Sequence, residues 1–460
     1  MRKTHLRLTT RHRLIIFAVI ISTGILFTRA TTRSAISQQC QHIWEPALSL
    51  PLVDHSSAKV AIVQTETYHD EVEGAIIHDF VNMGIQPTII RAHPYRYGFE
   101  NIIHQFYHRQ PVEVPVTEFG SVIKSGRFDV AIFVTCSWKL DDLVNELVAS
   151  QTWVVCVVHH VDDKHKDAYR KLAKTGRFSL VTLSEHTALR QRELLEKWGE
   201  LSQAPEWDTV DVQIAVPVFT GPKLLEYSRT SARVPNRIVI QGAINNHRRD
   251  YDKLFRDLVP LMTIDLASWG YFQEAANSSF QFLPQDQGRP KEEPFSIHLL
   301  GQMSARGKAL VPRVPVELKH VVHFHQNLPY MAYYELLASM DLLLPAFHGD
   351  GYYINTASSS IPAALIGRVP VLASSRHMRA YGYLAPPAAI MRPTSMSDAK
   401  AIQLLRLRQN PMPDSVLEEN HETLPDWDGA FSSVLERNKV TWFNILRKAL
   451  SKNVIPSLHQ

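Results

Sequence analysis

The feature that most constrains this chain is a repeating pattern. Short runs of aliphatic and β-branched residues end abruptly in polar residues, and a helix-period segment follows each. KVAIVQTE (59–66) leads into DEVEGAIIHDFVNMG, where Val72, Ala75, Ile76, Phe80 and Met83 recur at helical spacing. QPTIIRA (86–92), DVAIFVTC (129–136), WVVCVVHH (153–160) and FSLVTLSE (178–185) continue the series, with helical stretches such as LDDLVNELVAS between them. Runs this apolar suit strands covered on both faces, which is the condition of a parallel sheet. Their alternation with helices predicts right-handed βαβ units in an open α/β sheet.

The pattern occurs twice. A proline-rich and polar stretch, 210–237, reads as a connection, after which RIVIQG (237–242) restarts the alternation. RRDYDKLFRDLV follows as a helix, then FSIHLLG, HVVHFHQ, MDLLLPAF and VPVLAS as strands, with SSSIPAALIG opening a further helix. Residues 273–293 read as a loop, and the chain beyond Pro393 as mostly helical. With 460 residues the chain exceeds a single core. The expected organisation is a sheet domain over 58–220, a linker over 221–235, a second sheet domain over 236–395 and terminal helices over 396–460.

The first 57 residues differ in kind. Leu14 to Phe27 carries no charge, and five basic residues precede it. A run of this length rises about 21 Å as a helix against roughly 30 Å of hydrocarbon, so Arg13 and Arg29 must snorkel if it spans. Ala30 and Ala35 make an imperfect cleavage site, and the run is apolar all round rather than amphipathic like a presequence. The expectation is a signal anchor at 14–28 with a cytosolic tail at 1–13 and a stem at 29–57, since positive charge marks the cytosolic end. The sequon Asn277-Ser278-Ser279 is a candidate glycosylation site in a lumenal body. Seven basic residues precede the first acid, Glu45, which leaves 42 basic against 45 acidic residues. That balance lacks the positive field of a nucleic-acid binder. Three cysteines exclude a four-cysteine zinc site, and Cys136 and Cys156 read as small buried hydrophobes.

Chemistry gathers at the strand ends. In an open parallel sheet, ligands bind beyond the carboxyl ends of the strands, and two such sheets face to face make a cleft. The first series places Glu66, His69, His159-His160 and Ser184-Glu185-His186 at those ends; the second places Gln241-Gly242, Gly301-Gln302, Gln326-Asn327 and His348-Gly349-Asp350 there. Gly242 followed by Arg248 and Arg249 suits a diphosphate, because glycine admits close approach and guanidinium forks neutralise charge. In PAFHGDGYYINTASSSIPAALIGRVPVLA (345–373), Tyr353 and Ser358, Ser359 and Ser360 precede a helix start, where free N–H groups favour phosphate. Asp250-Tyr251-Asp252 and Asp426-Trp427-Asp428 read as capping or turn carboxylates rather than metal ligands. There is no Gly-x-Ser-x-Gly elbow, nor a Gly-x-Gly-x-x-Gly turn for a dinucleotide.

IVIQGAINNHRRDY, NLPYMAYYELLASMDLLLPAF and GYYINTASSSIPAALIGRVPVLA together resemble the donor domain of GT-B glycosyltransferases, with Arg368-Val369-Pro370-Val371 where many members have Gly-Val-Pro-Val. The resemblance spans roughly Lys59 to the carboxyl terminus. It implies two Rossmann-like domains facing across a cleft, and transfer of a sugar from a nucleotide-diphosphate donor to a glycan, protein or lipid acceptor. With the anchor expected at 14–28, the body is expected in the Golgi or ER lumen of a single-pass type II membrane protein, and two arginines with a helix start would neutralise the leaving group with no cofactor or metal. By this alignment Gly242, Arg248 or Arg249, and Ser358 to Ser360 hold the diphosphate. Many retaining members carry two glutamates around the last helix; none occurs between Pro345 and Ala373, so Asp350 or backbone stands in. For an inverting reaction the base is expected to be His160, oriented by Asp162 or Asp163, with Glu66 and His69 as second candidates. A catalytically inactive carbohydrate-binding or scaffold protein of the same shape is the alternative.

Overall fold

The computed structural model describes residues 55, 57–107, 111–136, 138–221, 234–274, 278–283, 293–303, 311–412 and 426–453. The expected anchor, its flanks up to Asp54, and Asn277 lie outside the described residues. Among the described residues, no helix is long and apolar enough to cross a membrane.

Seven parallel strands form the first sheet: β1 (Val60–Gln64), β2 (Thr88–Arg91), β3 (Val112–Pro115), β4 (Val130–Phe133), β5 (Trp153–Val158), β6 (Phe178–Thr182) and β7 (Asp211–Ile214). Their spatial order is β3-β2-β1-β4-β5-β6-β7. The second sheet has six parallel strands: β8 (Arg237–Gln241), β11 (Ser296–Gly301), β12 (Val322–Gln326), β13 (Leu342–Leu343), β14 (Val371–Ala373) and β15 (Ala389–Met391). Between β8 and β11, β9 (Tyr271–Phe272) and β10 (Gln281–Phe282) form a two-stranded antiparallel ribbon, so the stretch read as a loop holds a short strand. The second order, β12-β11-β8-β13-β14-β15, repeats the first. In each sheet the chain starts in the middle, winds to one edge, then returns past the start to the other. That reversal leaves a crevice at the carboxyl end of the first strand.

Six helices position the site: α1 (Asp70–Asn82), α2 (Glu185–Ser202), α3 (Tyr251–Ile264), α4 (Tyr330–Ala338), α5 (Ser360–Ile366) and α6 (Trp427–Asn453). Alternation along β8 shows how the second domain fills both faces. Ile238 and Ile240 pack with Leu254, Phe255 and Leu258 of α3, whereas Val239 joins a layer with Leu337 of α4 and Ile361 of α5. All six residues of β5 are buried, as a strand covered on both faces requires. β7 alternates instead, with Val212 and Ile214 inward and Asp211 and Gln213 half-buried. It pairs in parallel with β6, so the sheet continues into what the sequence presents as a connection.

The 27-residue α6 returns the chain to the first domain. Its Asn438 amide grips Val216, accepting from the N–H at 2.8 Å and donating to the carbonyl at 2.7 Å. Thr441 donates to Ile214 O, and the buried Trp442 donates to the carboxylate of Asp79 on α1. Cys136 and Cys156, which the sequence presents as unpaired, form a disulfide with Cα atoms 5.7 Å apart.

Candidate functional site

The carboxyl ends of the two sheets face one another, and the space between them holds two adjoining chambers. One, of about 450 Å³, runs from the loop after β1 to Gly242, Ser358 and Ser359 in the second domain. The other, of about 850 Å³, lies toward the ends of β4 and β5. His69, His159, His160 and Arg248 line both. Both crevices predicted by the strand reversals therefore open onto one site.

The first-domain wall is built by the loop from β1 into α1. Gln64 at the end of β1 braces it, donating to Tyr68 O and accepting from Glu66 N–H. His69 sits in the left-handed region at φ 70°, a conformation uncommon outside glycine. Its Nδ1 lies 3.0 Å from Thr135 Oγ1, and its ring stacks on His159 at 3.6 Å. Burial, then His159 and Arg248, hold the His69 imidazole well below 6.5, so the ring is neutral at pH 7. Burial likewise brings His159 down to about 4, against the opposing pull of its bond to Val134 O.

The first turn of α1 carries Asp70, Glu71 and Glu73. Such acids complement the helix dipole, but here they are divided between two tasks. The buried Arg91 pairs with Asp70 at 2.9 Å and with Glu73, and Tyr95 donates to Glu73. Glu71 is left facing the first chamber, where Tyr330 of α4 donates to it at 2.9 Å. Burial raises the Glu71 carboxyl above its ordinary value. Sequence reasoning missed this residue; its signal is an acid-rich first turn directly after a central strand.

His160 lines both chambers, with Nδ1 2.7 Å from Thr356 Oγ1 of the second domain. Its expected partner does not orient it: Nε2 and the Asp162 carboxylate are 3.9 Å apart, beyond hydrogen-bond range, and Asp162 pairs with Lys164 at 3.2 Å. Asp163 accepts from Trp198 instead. Glu66 lines neither chamber and sits against the Tyr68 hydroxyl.

On the second-domain wall, the two neighbouring arginines part company. Arg248 is exposed, lines both chambers, and forms no ion pair or side-chain hydrogen bond among the described residues. Arg249 is buried. Its guanidinium donates to Gln241 O at 2.9 and 3.2 Å and to Ser360 Oγ at 2.6 Å, with Phe347 and Tyr352 stacked near it. Gly242 has φ 122°, and a Cβ there would meet Arg249 Nη2 at 2.6 Å. The glycine therefore admits Arg249 rather than clearing a path for a ligand. Ser360 also belongs to this brace through its bond to Gln241 O, leaving Ser358 and Ser359 on the chamber. Helix α5 spans seven residues and makes no anion site by its dipole alone.

Two other expectations are corrected. Tyr353 lies outside the cleft, its hydroxyl 2.8 Å from His377 Nε2 and its ring under Arg376; Tyr352 lines the chamber. Asp350 is ion-paired to Arg376 at 2.6 Å and lines a separate cavity, away from the two chambers. Asp250 caps α3 by accepting from Lys253 N–H, and Asp426 accepts from Gly429 N–H. Two sets of contacts join the domains: Tyr97 to Asn327 and Tyr330, and Val161 and His159 to Asn355 and Ala357.

No protein-family model matches the chain, and no curated protein matches it by sequence. Among solved structures it is similar to α,α-trehalose 6-phosphate synthase of Burkholderia multivorans, at 8% identity, TM-score 0.47, covering 88% of this chain and 100% of that one. It is also similar to Anabaena HepE, solved with UDP and glucose, at 11% identity, TM-score 0.45, covering 86% and 100%. UDP-GlcNAc 2-epimerase of Methanocaldococcus jannaschii gives 11% identity, TM-score 0.42, and 84% and 99% coverage. The two sheets share one winding order, and a final helix returns the chain to the first domain.

Proposed function

We propose that this chain is a glycosyltransferase that takes a nucleotide-diphosphate sugar in the first chamber and an acceptor in the second. One observation carries the reading: an exposed guanidinium without an ion-pair partner among the described residues, Arg248, stands where the two chambers meet. A leaving diphosphate needs a cation there, and the Ser358 and Ser359 hydroxyls supply further donors without a metal. Two adjoining chambers favour a two-substrate reaction over rearrangement of a single nucleotide sugar.

In the proposed step the acceptor hydroxyl gives its proton to a base while its oxygen bonds to the anomeric carbon. The bond from that carbon to the phosphate oxygen breaks, and the diphosphate leaves with the electron pair toward Arg248. Among the candidates, His69 fits the base better than His160. Both histidines line both chambers with Nδ1 held by a threonine, but His69 is also fixed by the His159 ring stacked on it, whereas the His160 side chain is exposed and has no carboxylate within hydrogen-bond range among the described residues. An anionic donor beside Arg248 also offsets the cation that lowers His69, raising its basicity as the complex forms.

The apolar run at 14–28 supports a type II anchor with this body in the Golgi or ER lumen. The Cys136–Cys156 pair suits an oxidising compartment. Thermal-shift titration with UDP, GDP and ADP, followed by turnover assays over a donor panel, tests the reading. Stabilisation by one diphosphate and transfer from its sugar are expected. If no nucleotide stabilises the protein and no donor is consumed, the enzyme reading fails and the inactive-module alternative replaces it.

A further inference from the structure

We infer that the second chamber is a subsite for a neutral saccharide, so the acceptor is a sugar hydroxyl of a glycan rather than an apolar alcohol or lipid. The inference rests on the transferase reading above but is drawn from different residues. Gln191 of α2 lines this chamber; it is 1% exposed, and its Nε2 has no hydrogen-bond partner among the described residues. Buried amide donors are nearly always satisfied, and an orphan one beside a cavity calls for a partner that arrives with the ligand. From the opposite domain Gln302 presents a second carboxamide, with no side-chain hydrogen bond among the described residues. Tyr68 adds an aromatic ring that is 46% exposed, set edge-on to His69 at 4.6 Å.

The charged groups of the wall are largely committed. Lys164 pairs with Asp162 at 3.2 Å and His165 with Asp141 at 3.2 Å, leaving Arg248 at the junction with the donor chamber. Among the described residues, its aliphatic side chains come from Val157, Val158 and Ala243. Two uncommitted carboxamides and an open aromatic face match hydroxyl groups and the C–H face of a sugar ring. An apolar acceptor would leave the Gln191 amide buried and unpaired, a mismatch that discriminates by roughly 10- to 100-fold.

The test uses the full chain in detergent. Saturation-transfer NMR with a panel of neutral mono- and disaccharides, and separately with long-chain alcohols and phenols, measures occupancy of the chamber without a donor. The same compounds then serve as acceptors with whichever nucleotide sugar is turned over. Sugars are expected to bind and to accept, and Gln191→Leu should weaken sugar binding and raise acceptor KM by roughly 10- to 100-fold. Donor KM and nucleotide-induced stabilisation should not change, which shows the variant folded; Gln302→Leu, at a residue that also lines the first chamber, is read by sugar binding in the absence of donor. Apolar compounds binding as well as sugars, or sugar binding indifferent to both substitutions, would overturn the inference. Sugar binding that depends on Gln191, with no nucleotide stabilisation, sustains this subsite while removing the donor reading. Nucleotide stabilisation without sugar binding does the reverse.

Discussion

Arg248 and Arg249 are adjacent in sequence and should fail in opposite ways when changed. Arg248→Gln removes an exposed guanidinium that forms no ion pair or side-chain hydrogen bond among the described residues, so the fold should hold, with Tm within about 1 °C. A charge-assisted bond to a phosphate is worth about 1.5–3 kcal/mol, which predicts a loss of roughly 10- to 150-fold in affinity for the preferred nucleoside diphosphate. The same change removes one of the influences depressing His69, so that imidazole should titrate at higher pH in the variant. Arg249→Gln strips the Gln241 carbonyl and Ser360 hydroxyl of a buried partner, together with the stacking on Phe347 and Tyr352. About 3–5 kcal/mol of stability is at stake, or on the order of 10 °C in Tm. Calorimetric titration with nucleotide, thermal melts and histidine NMR on the two single variants separate these effects. Nucleotide affinity within twofold of the parent in Arg248→Gln, with His69 titrating unchanged, would refute the placement of the diphosphate. A double variant would confuse the two, since loss of fold at Arg249 would mimic loss of binding at Arg248.

Gly301→Ala places a Cβ 1.8 Å from the Gly242 carbonyl oxygen, a backbone clash no rotamer relieves; roughly 4 kcal/mol or more should be lost, against about 1 kcal/mol for the open Gly126→Ala. Denaturant titration of the pair decides this, and equal midpoints would contradict the packing of β8 on β11. Acid should destabilise the protein through His377, buried and held near 3 from the usual 6.5. A depressed folded value means stability that is complete above pH 6.5 and lost as pH falls toward 3, about 2 kcal/mol of it by pH 5. Urea titrations at pH 7 and pH 5 should differ by at least that amount, since His159 and His298 are also lowered, and by about 2 kcal/mol less in His377→Gln; an unchanged difference in the variant would contradict it. His186 faces Ala380 O at 2.7 Å and Thr356 O at 3.1 Å through its two nitrogens, so His186→Ala should loosen the domains, read as a larger radius of gyration in scattering.

The architecture was legible because its cause is local. A parallel strand covered on both faces must be apolar along its length, and β1, β5, β6 and β8 announce themselves that way. The strands that escaped notice lack that cause. β7 is an edge strand with a single alternating face, β3 exposes most of its residues, and β15 has only three. In these the sheet, rather than local composition, decides the conformation.

The site was legible to the level of the loop but not of the residue, and the reason is geometric. A strand end fixes where a turn lies, while the direction of each side chain within it depends on what packs behind. Arg248 and Arg249 look alike in sequence, and both meet the loop around Phe347 through backbone bonds, but the Arg249 guanidinium finds Gln241 O, Ser360 Oγ and the Phe347 and Tyr352 rings behind it. Tyr352 and Tyr353 divide likewise, because His377 and Arg376 claim the second ring. Glu71 shows the converse. Three acids at a helix start read as one dipole complement, and only Arg91, brought in by β2, reveals that two are neutralised and one is left for the cleft. If this reasoning holds, Arg91→Met should release Asp70 and Glu73, so that Glu71 is no longer the only unpaired carboxylate of that turn. Its Tyr330 bond would then compete with repulsion from Asp70, and donor KM or the pH profile should move although Arg91 itself lines neither chamber. An unchanged profile in a folded variant would mean that Glu71 is placed by Tyr330 alone.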